Sequence, residues 1–381
     1  MSSVGWRWFA GRLARHTRGT RHTRRTRRTP APAQVGRWDH FVDRGPRGSR
    51  SYAVYTPPGL RRGAPAPLVV VLHGCNQSGM DAALGTDVNA FADRAGFVVL
   101  YPEQSAADNL QRCWNWFDPR HQARGFGEPA AIARITETVL RSGPMTLDRN
   151  RVHVMGLSAG GAMAGILAAT YPDVYASVGI HSAPQYGAAR SPMTALLAMK
   201  SGGPDPQRQG RLAHTAMGPR ARVVPVIVVQ GAADRTVWSG NGDRVVRQWL
   251  TTSALAGGQE PGFDFALPDD ITTDRAPGGL SYSVRRWNDG AGRAVVSYWN
   301  VPDLGHAWSG GARAGSYTDP RGPSATEAMC DFFNQGSMDR DLGTAGRPAG
   351  TFDLRTIWAA LIHKVKEPGR RRRDQAPAVG A

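Results

Sequence analysis

Seven runs along this chain are built mostly of branched apolar residues and, with one partial exception at their start, do not alternate with polar ones. They are "SYAVYTP" at 51–57, "LVVVLHG" at 68–74, "FVVLYPE" at 97–103, "RVHVMGLS" at 151–158, "ASVGIHSA" at 176–183, "VPVIVVQGA" at 224–232 and "AVVSYWNV" at 294–301. A strand with one face in water shows a polar residue at every second position, so unbroken Val/Ile/Leu runs describe strands covered on both faces. Helical stretches lie between them: "DVNAFADRAG" from 87, "PAAIARITETVLRSG" from 129, "AGGAMAGILAATYP" from 159, "NGDRVVRQWLTTSAL" from 241, and a last one around 325–335. Strands that alternate with helices predict an α/β domain with a mostly parallel sheet and helices on both faces, over about 38–336.

Two stretches depart from that rhythm. "SYSVRRWNDGAGRAVVSYW" reads as two strands around Asn288, Asp289 and Gly290, a hairpin that brings antiparallel character near the end of the sheet. The stretch 185–222 has little periodicity and is expected to be an irregular insertion, a candidate lid or substrate loop.

Charge sorts the chain into parts. The net +17 suggests a nucleic-acid or membrane binder, but residues 1–37 hold ten arginines and no acid, and 364–381 contribute a further +4, which leaves +3 for everything between. A nucleic-acid groove needs clustered cations on the folded body, so nucleic acid is not expected as its partner. The Arg/Thr/His-rich head at 1–37 is expected to be disordered, and 337–381 forms an extension with a basic disordered end. The head could tether the protein to an anionic surface, with Trp6, Trp8 and Phe9 as interfacial anchors. It does not read as a secretory signal, because arginines interrupt "GWRWFAGRLA" every few positions. No apolar run is long enough for a transmembrane segment.

"VHVMGLSAGG" at 152–161 crowds one serine with glycines. Ser158 stands where a buried strand ends and a helix begins at Ala159, so the chain must turn sharply there and expose the hydroxyl at the carboxyl edge of the sheet. Larger side chains at Gly156 or Gly160 would strike the adjoining strand and helix. A serine hydroxyl needs a base, and the base an orienting acid. Asp234 follows the strand at 224–232 and His306 follows the last strand, in the order Ser, Asp, His that this architecture uses. The oxyanion donors are expected to be the backbone N–H groups of Cys75, in "LHGCNQS", and Ala159. His73 is expected to support that loop rather than to move protons.

Three cysteines leave one over. Cys75 and Cys113 both lie just beyond predicted strands and can pair in an oxidising compartment, whereas Cys330 reads as a buried helix residue. Absence of a Cys-x-x-Cys pair argues against a structural zinc site.

In "LHGCNQS", "YPEQS" followed by "CWNWF", "GLSAGGAMA", "GAADRTV", "GHAWSGG" and "SYTDPRGPSATEAMCDFF", taken in order over about 38–335, the chain resembles the esterase family of poly(3-hydroxybutyrate) depolymerases. These are α/β hydrolases whose relatives include feruloyl and acetylxylan esterases. The resemblance implies the α/β-hydrolase fold and carboxylic-ester hydrolysis by Ser158, His306 and Asp234 through an acyl-enzyme, with no metal and no organic cofactor. It ranks poly(3-hydroxyalkanoate) polymer or oligomers first as substrate and feruloyl or acetyl esters of plant polysaccharide second. A binder of anionic surfaces or nucleic acid, acting through its tails, is the reading from another class. Members are commonly secreted, which implies an extracellular location; a cytoplasmic one is the alternative. Trp114, Trp116 and Trp308 are expected to offer ring faces to the substrate cleft.

Overall fold

Branched apolar runs fill the middle of one large sheet in the computed structural model, which describes residues 36–337 apart from 46–47, 61–62, 144, 260 and 262–266. Residues 1–35 of the arginine-rich head and 338–381 of the C-terminal extension lie outside the described residues, and with them the tether. Among the described residues ten strands form the sheet: β1 (Arg37–Gly45), β2 (Gly48–Thr56), β3 (Ala66–Leu72), β4 (Val98–Pro102), β5 (Leu147–Leu157), β6 (Ser177–His181), β7 (Val226–Gly231), β8 (Asp270–Arg275), β9 (Ser281–Asn288) and β10 (Ala294–Val301). Their spatial order is β1-β2-β4-β3-β5-β6-β7-β10-β9-β8. The six inner strands from β4 to β10 run parallel, and an antiparallel pair closes each end. The expected hairpin is β9 and β10, joined across Asp289–Arg293.

Helices cover both faces. On one side α3 (Gly127–Ser142), α4 (Ala159–Thr170), α6 (Pro206–Met217) and α7 (Gly240–Ala256) enclose a core that includes Val70, Val154, Ile180 and Val228. On the other, α1 (Gly79–Thr86), α2 (Val88–Ala95) and α8 (Ala325–Ser337) enclose a second core that includes Val69, Val71, Met155 and Val229. Neighbouring residues of one strand thus belong to opposite cores. That is why no polar alternation shows in the sequence. No helix among the described residues is long and apolar enough to cross a membrane.

Three expectations need correction. Among the described residues the first strand takes in Arg37, which the sequence reading left in the head, because β1 pairs with β2 along its whole length. Both sheet edges, β1 and β8, escaped the sequence reading because they are mostly exposed and need no apolar run. The stretch 185–222 is not irregular: it folds into α5 (Pro192–Ser201) and α6. A Ser191–Thr194 capping box starts α5 and Asp205 caps α6. Its periodicity was weak because α5 buries only Ala195 and Ala198 while Met193, Leu196 and Leu197 remain exposed.

Candidate active site

Ser158 occupies the turn between β5 and α4 with φ 58° and ψ −120°. A non-glycine residue at positive φ is uncommon and costs on the order of 1–3 kcal/mol, so packing must hold it there. The packing is visible at its glycines. A Cβ on Gly160 would come 2.1 Å from the Leu72 carbonyl oxygen and 2.6 Å from that of His73, and a Cβ on Gly156 would come 2.5 Å from the Gly160 carbonyl carbon. Backbone cannot yield as a side-chain tip can. The Ser158 N–H is anchored on the His181 carbonyl at 2.9 Å.

Asp234 and His306 meet beyond the carboxyl ends of β7 and β10, which are adjacent parallel strands. The His306 Nδ1 lies 2.7 Å from Asp234 Oδ2. The second carboxylate oxygen, Oδ1, accepts the backbone N–H groups of Thr236 and Val237, each at 2.8 Å. Burial acts to raise the pKa of Asp234, but the His306 hydrogen bond and charge, with those two amides, outweigh it and leave the carboxyl below its ordinary value. It is therefore an anion, held in one orientation. Its partner imidazole must carry its proton on Nδ1, leaving Nε2 free to act as a base.

Leu157, beside the nucleophile, lines one small cavity with Trp308 and Tyr317, which flank His306, and with His73 and Gln77. The Tyr317 ring stands edge-on to His306 at 6.4 Å. Among the described residues the Ser158 hydroxyl makes no hydrogen bond, so the structure forms the Asp–His contact and leaves the Ser–His contact open. Such contacts tighten when substrate binds.

The oxyanion loop is built with some care. Cys75 follows β3, and among the described residues neither its backbone N–H nor that of Ala159, at the first turn of α4, is used in a hydrogen bond. Gly74 donates to Gln77 Oε1 at 2.8 Å, and a Cβ on Gly74 would come 3.7 Å from Ser158 Cβ, so the loop and Ser158 are neighbours. The His73 ring donates through Nδ1 to the Gly74 carbonyl at 2.8 Å and accepts the Gln104 N–H on Nε2 at 3.1 Å. Burial lowers its pKa to about 4, so it is neutral and holds the loop, as the sequence suggested. Cys75 and Cys113 form a disulfide that ties this loop to the segment carrying Trp114 and Trp116, and Cys330 is free and buried.

Behind the loop sits Glu128, a buried carboxylate the sequence reading passed over. It accepts from the backbone N–H and Nδ2 of Asn115, both at 2.7 Å, and from Nε2 of Gln104. Burial opposes its charge, yet His121, Arg50 and Gln104 hold its pKa below the ordinary value. Directly at Asn115 and through Gln104 at the Cys113 carbonyl, it braces the disulfide-linked segment.

The tryptophan expectation is corrected. Trp114, Trp116 and Trp308 are 0%, 5% and 1% exposed, so they offer no ring face to a ligand. Trp114 donates its indole N–H to the His73 carbonyl, and Trp308 donates to Thr326 Oγ1 while stacking on His181. They are supports beneath the site. The exposed aromatic beside it is Tyr317, 45% exposed and edge-on to His306, which no aromatic-rich motif marks. No group of three or more His, Cys, Asp or Glu side chains among the described residues could hold a metal ion.

A serine on a strand-to-helix turn, with acid and histidine on later strand ends of this sheet, defines an α/β hydrolase. The chain belongs to the esterase PHB depolymerase family, whose description matches residues 50–259 and so includes Ser158 and Asp234 but stops short of His306. It is 31% identical over 249 residues to poly(3-hydroxyalkanoate) depolymerase C of Paucimonas lemoignei, covering 64% of this chain and 55% of that one. It is also 34% identical over 110 residues to feruloyl esterase B of Neurospora crassa, covering 28% of this chain and 36% of that one. The chain thus spans about half or less of the length of these relatives. Among solved structures, the acetyl xylan esterase from Aspergillus awamori superposes with a TM-score of 0.62 at 20% identity, over 79% of this chain and all of that one, which shows the shared fold.

Proposed function

We propose that the protein is a serine esterase that hydrolyses carboxylic esters through an acyl-enzyme, with short-chain poly(3-hydroxyalkanoate) polymer or oligomers as substrate. The observation that carries this reading is the Asp234–His306 hydrogen bond of 2.7 Å at the same sheet edge as the strained Ser158 turn. In this reading Ser158 Oγ attacks the ester carbonyl while His306 Nε2 takes its proton. Asp234 keeps the imidazole in the tautomer that can do so and stabilises the imidazolium that forms. The carbonyl oxygen, now an oxyanion, receives the free N–H groups of Cys75 and Ala159. His306 returns the proton to the departing alcohol. Water then repeats the sequence on the acyl-enzyme and releases the acid.

Family membership and the depolymerase relative support the polyester substrate. The Cys75–Cys113 disulfide supports an oxidising, extracellular location. The test is release of nitrophenol from p-nitrophenyl butyrate by the wild type and by Ser158→Ala, followed by a product assay on 3-hydroxybutyrate oligomers beside methyl ferulate and acetylated xylan. Equal release by both proteins overturns the serine mechanism. Faster turnover of ferulate or acetylated xylan moves the substrate to plant polysaccharide esters.

A further inference from the structure

His181 ends β6, the strand between β5, which delivers Ser158, and β7, which delivers Asp234. It is fully buried and takes no part in the proton transfers described above. Its contacts nonetheless reach both sides of the site. The His181 carbonyl accepts the Ser158 N–H at 2.9 Å, and its ring Nε2 accepts the Ser309 N–H at 3.1 Å. Trp308 and Ser309 form the short strand β11 (Trp308–Ser309), two and three residues past His306, and the Trp308 ring stacks on the His181 imidazole at 5.0 Å and 28°.

Because a backbone amide can only donate, Nε2 of His181 must be unprotonated, and the ring proton must sit on Nδ1, which faces Ser182 Oγ at 3.0 Å. Burial first, and then the nearby His306, keep the ring neutral; its pKa is lowered to about 3. The next residue, Ser182, at φ 48°, donates its N–H to the Val229 carbonyl of β7. Residues 181 and 182 are therefore stitched to the nucleophile turn, to the acid-bearing strand and to the base-bearing loop.

Taking the serine-esterase reading as given, we propose that His181 is a positioning residue that sets the His306 loop against the Ser158 turn by accepting the Ser309 N–H while its own carbonyl fixes Ser158. The carbonyl contact needs no particular side chain. The ring contact needs a neutral acceptor at imidazole length with a flat face for Trp308, and this selects histidine at the fully buried end of β6. Phenylalanine keeps the flat face and loses the acceptor, whereas glutamine keeps an acceptor at similar reach.

The test compares His181→Phe and His181→Gln with the wild type on p-nitrophenyl butyrate. Misplacing reacting groups by about 1 Å can cost on the order of 10²-fold. His181→Phe is accordingly expected to lower kcat by about 10- to 100-fold with KM changed by less than about 3-fold, and His181→Gln to recover most of that loss. A His181→Phe enzyme with kcat within about 3-fold of wild type, or a Gln variant as impaired as the Phe variant, overturns the proposal. Nitrogen NMR of the wild type labelled with ¹⁵N-histidine provides a check that needs no variant to fold. His181 is expected as the neutral Nδ1–H tautomer from about pH 5 to 9, and an Nε2–H tautomer or an imidazolium in that range also overturns it. Ser158→Ala, run alongside, separates the two ideas: if it retains wild-type turnover the esterase reading fails, whatever the His181 variants do.

Discussion

His306 Nδ1 and Asp234 Oδ2 stand 2.7 Å apart although 72 positions of chain separate them. Adjacent parallel strands bring them there, since β7 and β10 pair from Val226 with Val296 to Gly231 with Val301 and each residue follows its strand's carboxyl end. Asp234→Asn keeps the oxygen that accepts the Thr236 and Val237 amides but presents an amide to the imidazole. The ring would then favour the tautomer with its proton on Nε2, the atom proposed as the base. Turnover of p-nitrophenyl butyrate is expected to fall by about 10³- to 10⁴-fold, with the melting temperature little changed. A loss below 10-fold would remove Asp234 from the mechanism.

Gly160 tests the turn itself. Its Cβ would fall on the Leu72 and His73 carbonyl oxygens, which belong to the strand and loop that lead to Cys75. Gly160→Ala must therefore push the nucleophile turn away from the oxyanion loop or destabilise the fold. Denaturant unfolding should report a loss of about 2 kcal/mol or more, in the upper part of the range for overpacked cores, and activity should fall further than stability explains. An alanine variant with wild-type stability and rate contradicts the steric account.

The sequence made the inner sheet and the three side chains of the proposed triad legible for one reason: both are written in local patterns. Buried parallel strands need unbroken apolar runs, and a serine at a strand-to-helix turn needs glycines two positions to either side. Edge strands β1 and β8 escaped because partial exposure relaxes their composition. The supports of the site escaped for a different reason. Glu128 and His181 act through tertiary contacts, from Glu128 to Asn115 across 13 positions and from His181 to Ser309 across 128, and no sequence motif announces such partners. The tryptophans misled because an aromatic beside a catalytic loop can face either way, and Trp114 and Trp308 face inward where their indole N–H groups find acceptors.

That inward orientation separates two mutations that look alike in the sequence. Trp114→Ala empties a fully buried site and leaves the His73 carbonyl short of a donor, so it should cost about 3–5 kcal/mol of stability. Tyr317 is 45% exposed and edge-on to His306, at a φ of 51° that asparagine tolerates better than most residues. Tyr317→Asn should leave the melting temperature within a few degrees of wild type and raise KM for oligomeric esters by about 3- to 10-fold, the loss of one ring contact. If the Trp114 variant changed only KM, the burial argument would be wrong.

Cys75 joins stability to chemistry, because its backbone N–H is one of the two proposed oxyanion donors and its side chain closes a loop of 38 positions to Cys113. Releasing such a loop costs about 4 kcal/mol in the chain-entropy account, and about 2–4 kcal/mol is typical of measured cases. Cys113→Ser should therefore lower the melting temperature and, by loosening the Cys75 loop, also reduce kcat, while Cys330→Ser should leave the rate unchanged. Thiol treatment of the wild type should reproduce the Cys113→Ser rate. Full activity in Cys113→Ser would mean that the loop holds its donor without the bridge.

Two buried histidines give the fold an acid limit that precedes its carboxylates. His73 has its pKa lowered from 6.5 to about 4 and His181 from 6.5 to about 3, chiefly by burial. Both are neutral in the folded protein at neutral pH, whereas in the unfolded chain each takes up a proton below about pH 6.5. The unfolded state then binds more protons, so stability must fall as the pH drops from 6.5 towards 4. The slope is up to about 1.4 kcal/mol per pH unit for each histidine, which amounts to on the order of 3 kcal/mol for His73 by pH 4. Asp234 and Glu128, whose pKa values are depressed, contribute stability that is full above the ordinary carboxylate range and lost only as the pH falls through their lower folded values. The two groups thus act in successive windows. Urea unfolding at steps between pH 8 and 4 should show stability level above about 6.5 and declining below it, and His73→Asn, which can still donate to the Gly74 carbonyl, should decline less steeply. A stability curve flat from pH 6.5 to 4.5 would show that these rings are not held neutral.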